Sequence, residues 1–167
     1  MGMRKAGIAA FLGLLMAQSL QVGQEVPGSV SLSDEQGKVV RFADLRGKWI
    51  VLYFYPHDDT PGCTQQGKEF SRLLPDFEKL NAQVYGISTQ DAASHRAFKQ
   101  KHGIRVPLLV DEEGKTAELF GVKRFMGMCS RDVVIINPEG KVANIRRGVS
   151  PATSAKEVLA FLQQQKK

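Results

Sequence analysis

The chain has 167 residues, 43% of them hydrophobic, which is enough to bury one substantial core, and no break in composition marks a second domain. Its formal net charge of +6 is scattered in small groups such as Arg146-Arg147 and Lys166-Lys167 that mix with acids, a solvated surface rather than a nucleic-acid groove. No internal repeat stands out, and the Gln-rich end is too short to be more than a fraying helix terminus.

The first nineteen residues hold no acid and set Arg4 and Lys5 before an apolar run from Ala6 to Ala17 that is rich in small residues. That is the layout of a secretory signal, with Ala17 and Ser19 at cleavage-compatible spacing. The run falls short of the ~20 apolar residues that span a bilayer. An uncleaved, tethering helix is the alternative. Residues 1–19 therefore read as a leader and residues 20–167 as the domain. Cleavage would remove two positive charges, leave +4, and place an exported protein in, for instance, a bacterial periplasm.

The segment from Ser29 to Phe42 is predicted to be a hairpin turning at Asp34 to Gly37. Trp49 to Tyr55 is β-branched and aromatic, has the length of a buried strand, and ends at Pro56, which cannot feed a ladder. Trp49 is expected to pack in the core. His57, Asp58 and Asp59 form a turn, and Thr60-Pro61 reads as a helix N-cap with proline at the first helical position. Cys63 then falls in the first turn of a helix, where unpaired amides and the helix dipole favour an anion, and cysteines so placed ionise more readily than an ordinary thiol. Asp58 and Asp59 oppose this by like charge, so their carboxylates are expected to face solvent and a cation from elsewhere to assist. The competing reading is a small, buried, inert cysteine.

Gln66 to Leu80 carries apolar residues at helical spacing, with Pro75 expected to kink or break it. The pattern continues with strands at Val84 to Ser88, Pro107 to Asp111, Asp132 to Ile136 and Lys141 to Arg147, and with helices at Ala92 to His102, Thr116 to Phe120 and Thr153 to Gln165. Asn137 to Gly140 is a tight turn between two of the strands. This alternation predicts an α/β fold, a thioredoxin-like three-layer sandwich with a mixed central sheet, an N-terminal hairpin and a terminal helix. His57, His95 and His102 have no carboxylate or cysteine at ligand spacing, so no metal site is expected and all three read as solvated surface.

Pro56, Thr60 and Cys63 match the pattern P-x-x-x-T-x-x-C. Together with YFYPHDDTPGCT, VYGIS, SHRAFKQKHGI and PLLVD in order, they make the chain from about Val22 onward resemble the peroxiredoxins, specifically the peroxiredoxin Q (bacterioferritin comigratory protein) subgroup. The resemblance implies a thiol peroxidase acting on hydrogen peroxide and organic hydroperoxides without metal or organic cofactor. It implies a thioredoxin-like or small-thiol reductant and a monomer or weak dimer. By the same resemblance Cys63 is the attacking cysteine, Arg131 stabilises the thiolate and transition state, Thr60 orients its hydroxyl on the peroxide, and Pro56 shields the pocket. Many members carry a resolving cysteine five residues after the first, where this chain has Lys68. Its other cysteine, Cys129, lies two residues before Arg131. Strand alternation would put Cys129 on the active-site side, in a mobile RFMGMCS loop. Cys129 is then a resolving cysteine, a structural disulfide partner, or an inert thiol in a one-cysteine enzyme. Two further readings are a thiol-disulfide oxidoreductase, disfavoured because Gln66 stands where C-x-x-C needs its second cysteine, and a redox-sensing binding or chaperone module.

Overall fold

The computed structural model describes residues 18–165, so the expected leader lies outside the described residues except for Gln18 and Ser19. Two short strands, β1 (Ser31–Asp34) and β2 (Val39–Arg41), form the expected N-terminal hairpin, and the Asp34 side chain accepts the amides of Gln36 and Lys38 across its turn. After a single 3-10 turn come β3 (Trp49–Phe54), α1 (Pro61–Lys79), β4 (Ala82–Ser88), α2 (Ala92–His102) and β5 (Leu108–Val110). Then follow α3 (Lys115–Leu119), the small strands β6 (Arg124–Phe125) and β7 (Met128–Cys129), β8 (Val133–Ile136), β9 (Val142–Arg146) and α4 (Ser154–Gln165).

Seven strands form one mixed sheet in the order β2-β1-β5-β4-β3-β8-β9, with β3, β4 and β5 parallel to one another and the other pairings antiparallel. The central strands are apolar on both faces because both faces are covered. Val51 and Tyr53 of β3 point into a core layer shared with Phe70, Phe77, Phe98, Val158 and Leu162 from α1, α2 and α4. Ile50, Leu52 and Phe54 point into the opposite layer, with Phe42, Ala117, Phe120 and Cys129. Three layers result, as the strand and helix alternation predicts. The sheet's C-terminal edge at β3 carries the loop that enters α1.

Helix α1 runs unbroken through Pro75, contrary to the expected kink or break. A proline at this position removes the amide that would bond to the carbonyl of residue 71. Arg105 supplies the missing donor, its Nη2 bonding to the Ser71 carbonyl at 2.8 Å, while the Ser71 hydroxyl donates to the Gly67 carbonyl and accepts the Arg105 amide. Arg105→Ala should therefore destabilise the protein by ~1–3 kcal/mol in chemical denaturation, the cost of an unpaired buried carbonyl. The loss should shrink when Pro75→Ala restores the amide.

The segment expected to be a mobile loop forms the hairpin β6–β7, whose turn residues Met126 and Gly127 take the left-handed conformation suited to a tight two-residue connection. Thr89 Oγ1 donates to the Gly127 carbonyl. Phe125 and Met126 project from the tip, 76% and 83% exposed.

Candidate active site

Strand β3 delivers the chain into the turn at Pro56, whose carbonyl accepts a hydrogen bond from Gln90 Nε2, and Asp59 turns the backbone through the left-handed region. Thr60 follows with extended backbone at the N-cap position, yet its hydroxyl donates backwards to the His57 carbonyl at 3.0 Å instead of capping the helix. The first-turn amides of α1 therefore lack a side-chain cap from Thr60, and Cys63 sits among them as the third helical residue, 2% exposed. The positive end of the helix is left to the sulfur.

Arg131 is brought in from the segment leading into β8, its backbone carbonyl bonded to the Val149 amide. Its Nη1 lies 3.5 Å from Cys63 Sγ and 2.9 Å from Gln66 Oε1. Gln66 is fully buried, one turn of α1 beyond Cys63, and its amide donates in turn to the Ser154 hydroxyl at 3.0 Å. Gly62 makes room for this arrangement, because a Cβ there would stand 3.0 Å from Arg131 Nη2. Ser154, Gln66, Arg131 and Cys63 thus form one chain of contacts that aims a guanidinium at a thiol. Such a pairing stabilises a thiolate and any negative charge that develops beside it. Beneath Cys63, burial foremost, then the charges of Cys63 and Asp58, raise the Tyr53 phenol well above its usual range. Tyr53 therefore stays a neutral floor.

Of the residues singled out from sequence, Cys63 and Arg131 meet directly, while Pro56 and Thr60 shape the turn that feeds the helix. Cys129 does not lie on the side expected for it. It packs in the core layer on the opposite face of the sheet, 2% exposed, because the chain turns tightly at Arg131: the Asp132 amide bonds to the Ser130 carbonyl, and the alternation between residues 129 and 131 is lost. Burial, followed by the nearby Asp111 charge, pushes its thiol up to about 12. Both cysteines are free thiols.

Two other expectations fail. Asp58 is buried rather than turned to solvent, and His95 is completely buried rather than on the surface. They bond to each other, Nδ1 to Oδ2, at 2.6 Å. Asp59 is exposed as expected and pairs with Lys101 and with His102, itself only 21% exposed at the side chain. Among the described residues no group of three or more His, Cys, Asp and Glu side chains is arranged to hold a metal ion. Gln66 and Ser154 were not singled out for this role. The one sequence signal for Gln66 is its spacing of three from Cys63, which puts both on one helix face.

The AhpC/TSA family pattern matches residues 22–145. The chain belongs to that family and is a peroxiredoxin. Peroxiredoxin Bcp of Bacillus subtilis is 36% identical over 152 residues, spanning 86% of this chain and 96% of its own. A solved cysteine-to-serine variant of PrxQ from Xylella fastidiosa superposes with a TM-score of 0.84 at 30% identity, covering 90% of this chain and 99% of the other. The bacterioferritin comigratory protein of Xanthomonas campestris, whose structure is described for its alkyl peroxide reduction activity, gives 0.81 at 34% identity over 88% of this chain and all of its own. This peroxiredoxin is a thiol-dependent peroxidase with a thioredoxin-like fold, taking a peroxide and a thiol reductant as its two substrates.

Proposed function

We propose that this peroxiredoxin reduces hydrogen peroxide and organic hydroperoxides at Cys63 and works as a one-cysteine enzyme. The observation that carries the reading is the Arg131 guanidinium 3.5 Å from the Cys63 sulfur at the uncapped start of α1. The thiolate attacks one peroxide oxygen, an S–O bond forms as the O–O bond breaks, and the leaving oxygen takes up a proton to depart as water or alcohol. Arg131 offers donors to the charge that develops on the oxygens, and the Thr60 hydroxyl, its proton engaged by His57, has oxygen lone pairs free to accept from the peroxide O–H. Cys63 becomes a sulfenic acid. Two equivalents of an external thiol then return it to the thiol, releasing water and a disulfide.

Cys129 is set apart from this cycle by its burial on the other side of the sheet and by its raised thiol. Lys68, at the position where a resolving cysteine would stand on α1, is exposed and carries no thiol. The basic start and short apolar run of residues 1–19 further support export, with the mature chain beginning near Leu20. Two measurements cover both: mass spectrometry of protein from its native source, before and after one equivalent of peroxide, and turnover of Cys129→Ser with an external thiol. The expected result is an N-terminus near Leu20, a dimedone-trappable sulfenic acid on Cys63, and unchanged turnover of Cys129→Ser with an external thiol. A linked Cys63–Cys129 peptide would overturn the one-cysteine reading, and an intact Met1 in the cytosolic fraction would overturn export.

A further inference from the structure

The turn before α1 poses an electrostatic problem. Two adjacent carboxylates, Asp58 and Asp59, stand within five residues of a cysteine that must carry negative charge, and Arg131 is the cation in contact with that cysteine. Helix α2 supplies the answer. Asp59 pairs with Lys101 Nζ at 2.9 Å and His102 Nε2 at 2.6 Å on the surface. Asp58 turns inward, where its carboxylate accepts from the Tyr55 hydroxyl at 2.6 Å, the Ser94 hydroxyl at 2.8 Å and His95 Nδ1 at 2.6 Å, with Gln90 bonded to its backbone amide. The remaining charged residues of this stretch of α2, Arg96 and Lys99, are engaged by Glu35 in the β1–β2 turn.

The His95 ring is what makes the arrangement informative. Its side chain is 0% exposed and that of Asp58 3%. Nδ1 faces a carboxylate oxygen and Nε2 faces the Leu109 carbonyl at 3.0 Å. Both partners are acceptors, and a neutral imidazole, with one N–H, would turn a lone pair against one of them. Two donors satisfy both. Burial pushes the Asp58 carboxyl up, but the His95 hydrogen bond and charge, with the bonds from Tyr55 and Ser94, outweigh it and hold the group below the usual carboxylate range. An ionised carboxylate facing a doubly protonated ring is a buried ion pair, and removing one member of such a pair leaves the other uncompensated. The Tyr55 ring that bonds to Asp58 lies 5.7 Å from the Tyr53 ring, centroid to centroid, and Tyr53, Tyr55 and Cys63 share one core layer.

We propose that His95 is a positioning residue of the peroxidase: its buried imidazolium holds the Asp58 carboxylate and cancels its charge, so that the acidic turn entering α1 does not oppose the Cys63 thiolate. The role rests on reading Cys63 as the attacking thiolate, and the test is chosen to be independent of peroxide. Alkylation of Cys63 by iodoacetamide, followed by peptide mass from about pH 5 to about pH 9, reports the thiolate directly. His95→Gln keeps a donor but loses the charge. Its alkylation at neutral pH should fall roughly 3- to 10-fold, and the pH of half-maximal reaction should move up. Adding Asp58→Asn removes the stranded carboxylate, and the double variant should return toward the wild-type profile, a rescue that a purely structural contact would not produce. A wild-type profile for His95→Gln, or a double variant no better than the single one, would sink the proposal. Should His95→Gln fail to fold, nitrogen-15 spectra of the wild-type histidines decide: both His95 ring nitrogens should carry protons, and an unprotonated one would refute the imidazolium. Failure of the peroxidase reading would appear elsewhere, as peroxide turnover that survives loss of the Cys63 thiol.

Discussion

Cys63→Ser is expected to abolish peroxide turnover while leaving the fold in place. The substitution exchanges sulfur for oxygen at a position 2% exposed, with no cavity of consequence and with Arg131 still able to donate to the replacement. On the proposed reading the attacking group is what disappears: a serine hydroxyl stays protonated near neutral pH, and the side chain bonded at this position is a guanidinium, not a base. Steady-state turnover with a thiol reductant, beside circular dichroism and thermal unfolding, checks both halves. Retained activity would show that the reacting group lies elsewhere, and the whole assignment of roles would go with it.

Arg131→Ala should slow turnover by ~10²- to 10³-fold, corresponding to roughly 3 to 4 kcal/mol for one preorganised donor at a site of developing charge. The guanidinium is held by Gln66 Oε1 and by the sulfur, and the Val149 amide anchors the Arg131 backbone carbonyl, so the alanine variant loses an oriented cation rather than a wandering one. It also leaves the buried Gln66 carbonyl without its donor, which adds a smaller stability loss of ~1–3 kcal/mol. Arg131→Lys separates the two effects. A lysine retains the charge but is a point donor without the planar fork, so it should recover part of the rate and not all of it. Stopped-flow measurement of Cys63 oxidation isolates this step from reduction by the thiol. An alanine variant within a few-fold of wild type would remove Arg131 from the transition state.

Much of the architecture was legible because local signals agreed with their neighbours. Helix α2 begins and ends where expected since Asp91 accepts the Ser94 amide at its start and Gly103 takes the left-handed conformation at its end. Proline directly after Thr60 marked the helix start and so placed Cys63 in the first helical turn, and the helix begins at Pro61 as that signal requires. The misreadings share a different physics. Pro75 does not break α1 because Arg105, thirty-four residues from Ser71, provides the donor, and a periodicity argument has no access to that partner. His95 and Asp58, separated by 37 positions, are each polar by composition and satisfy each other on burial, with Tyr55, Ser94 and the Leu109 carbonyl taking their remaining bonds. The spacing of three between His95 and the apolar Phe98 hinted that the histidine lies on the inward stripe of α2, but not at what it meets there. The side on which Cys129 lies depended on an extended backbone that a single amide-to-carbonyl bond, Asp132 to Ser130, interrupts.

The hairpin tip at Phe125 and Met126 bears on how oxidation of this protein reads out. A methionine that is 83% exposed, on a molecule whose work brings it into contact with oxidants, is itself open to sulfoxide formation, whereas Cys63 is only 2% exposed. Gain of one oxygen atom by the whole chain therefore does not distinguish a sulfenic acid at Cys63 from a methionine sulfoxide such as one at Met126. The two differ in what reverses them: thiols discharge the first, and the second persists until a methionine sulfoxide reductase acts. A molecule that has returned to full activity in the presence of thiol can thus still carry at its tip a chemical memory of the peroxide it has met.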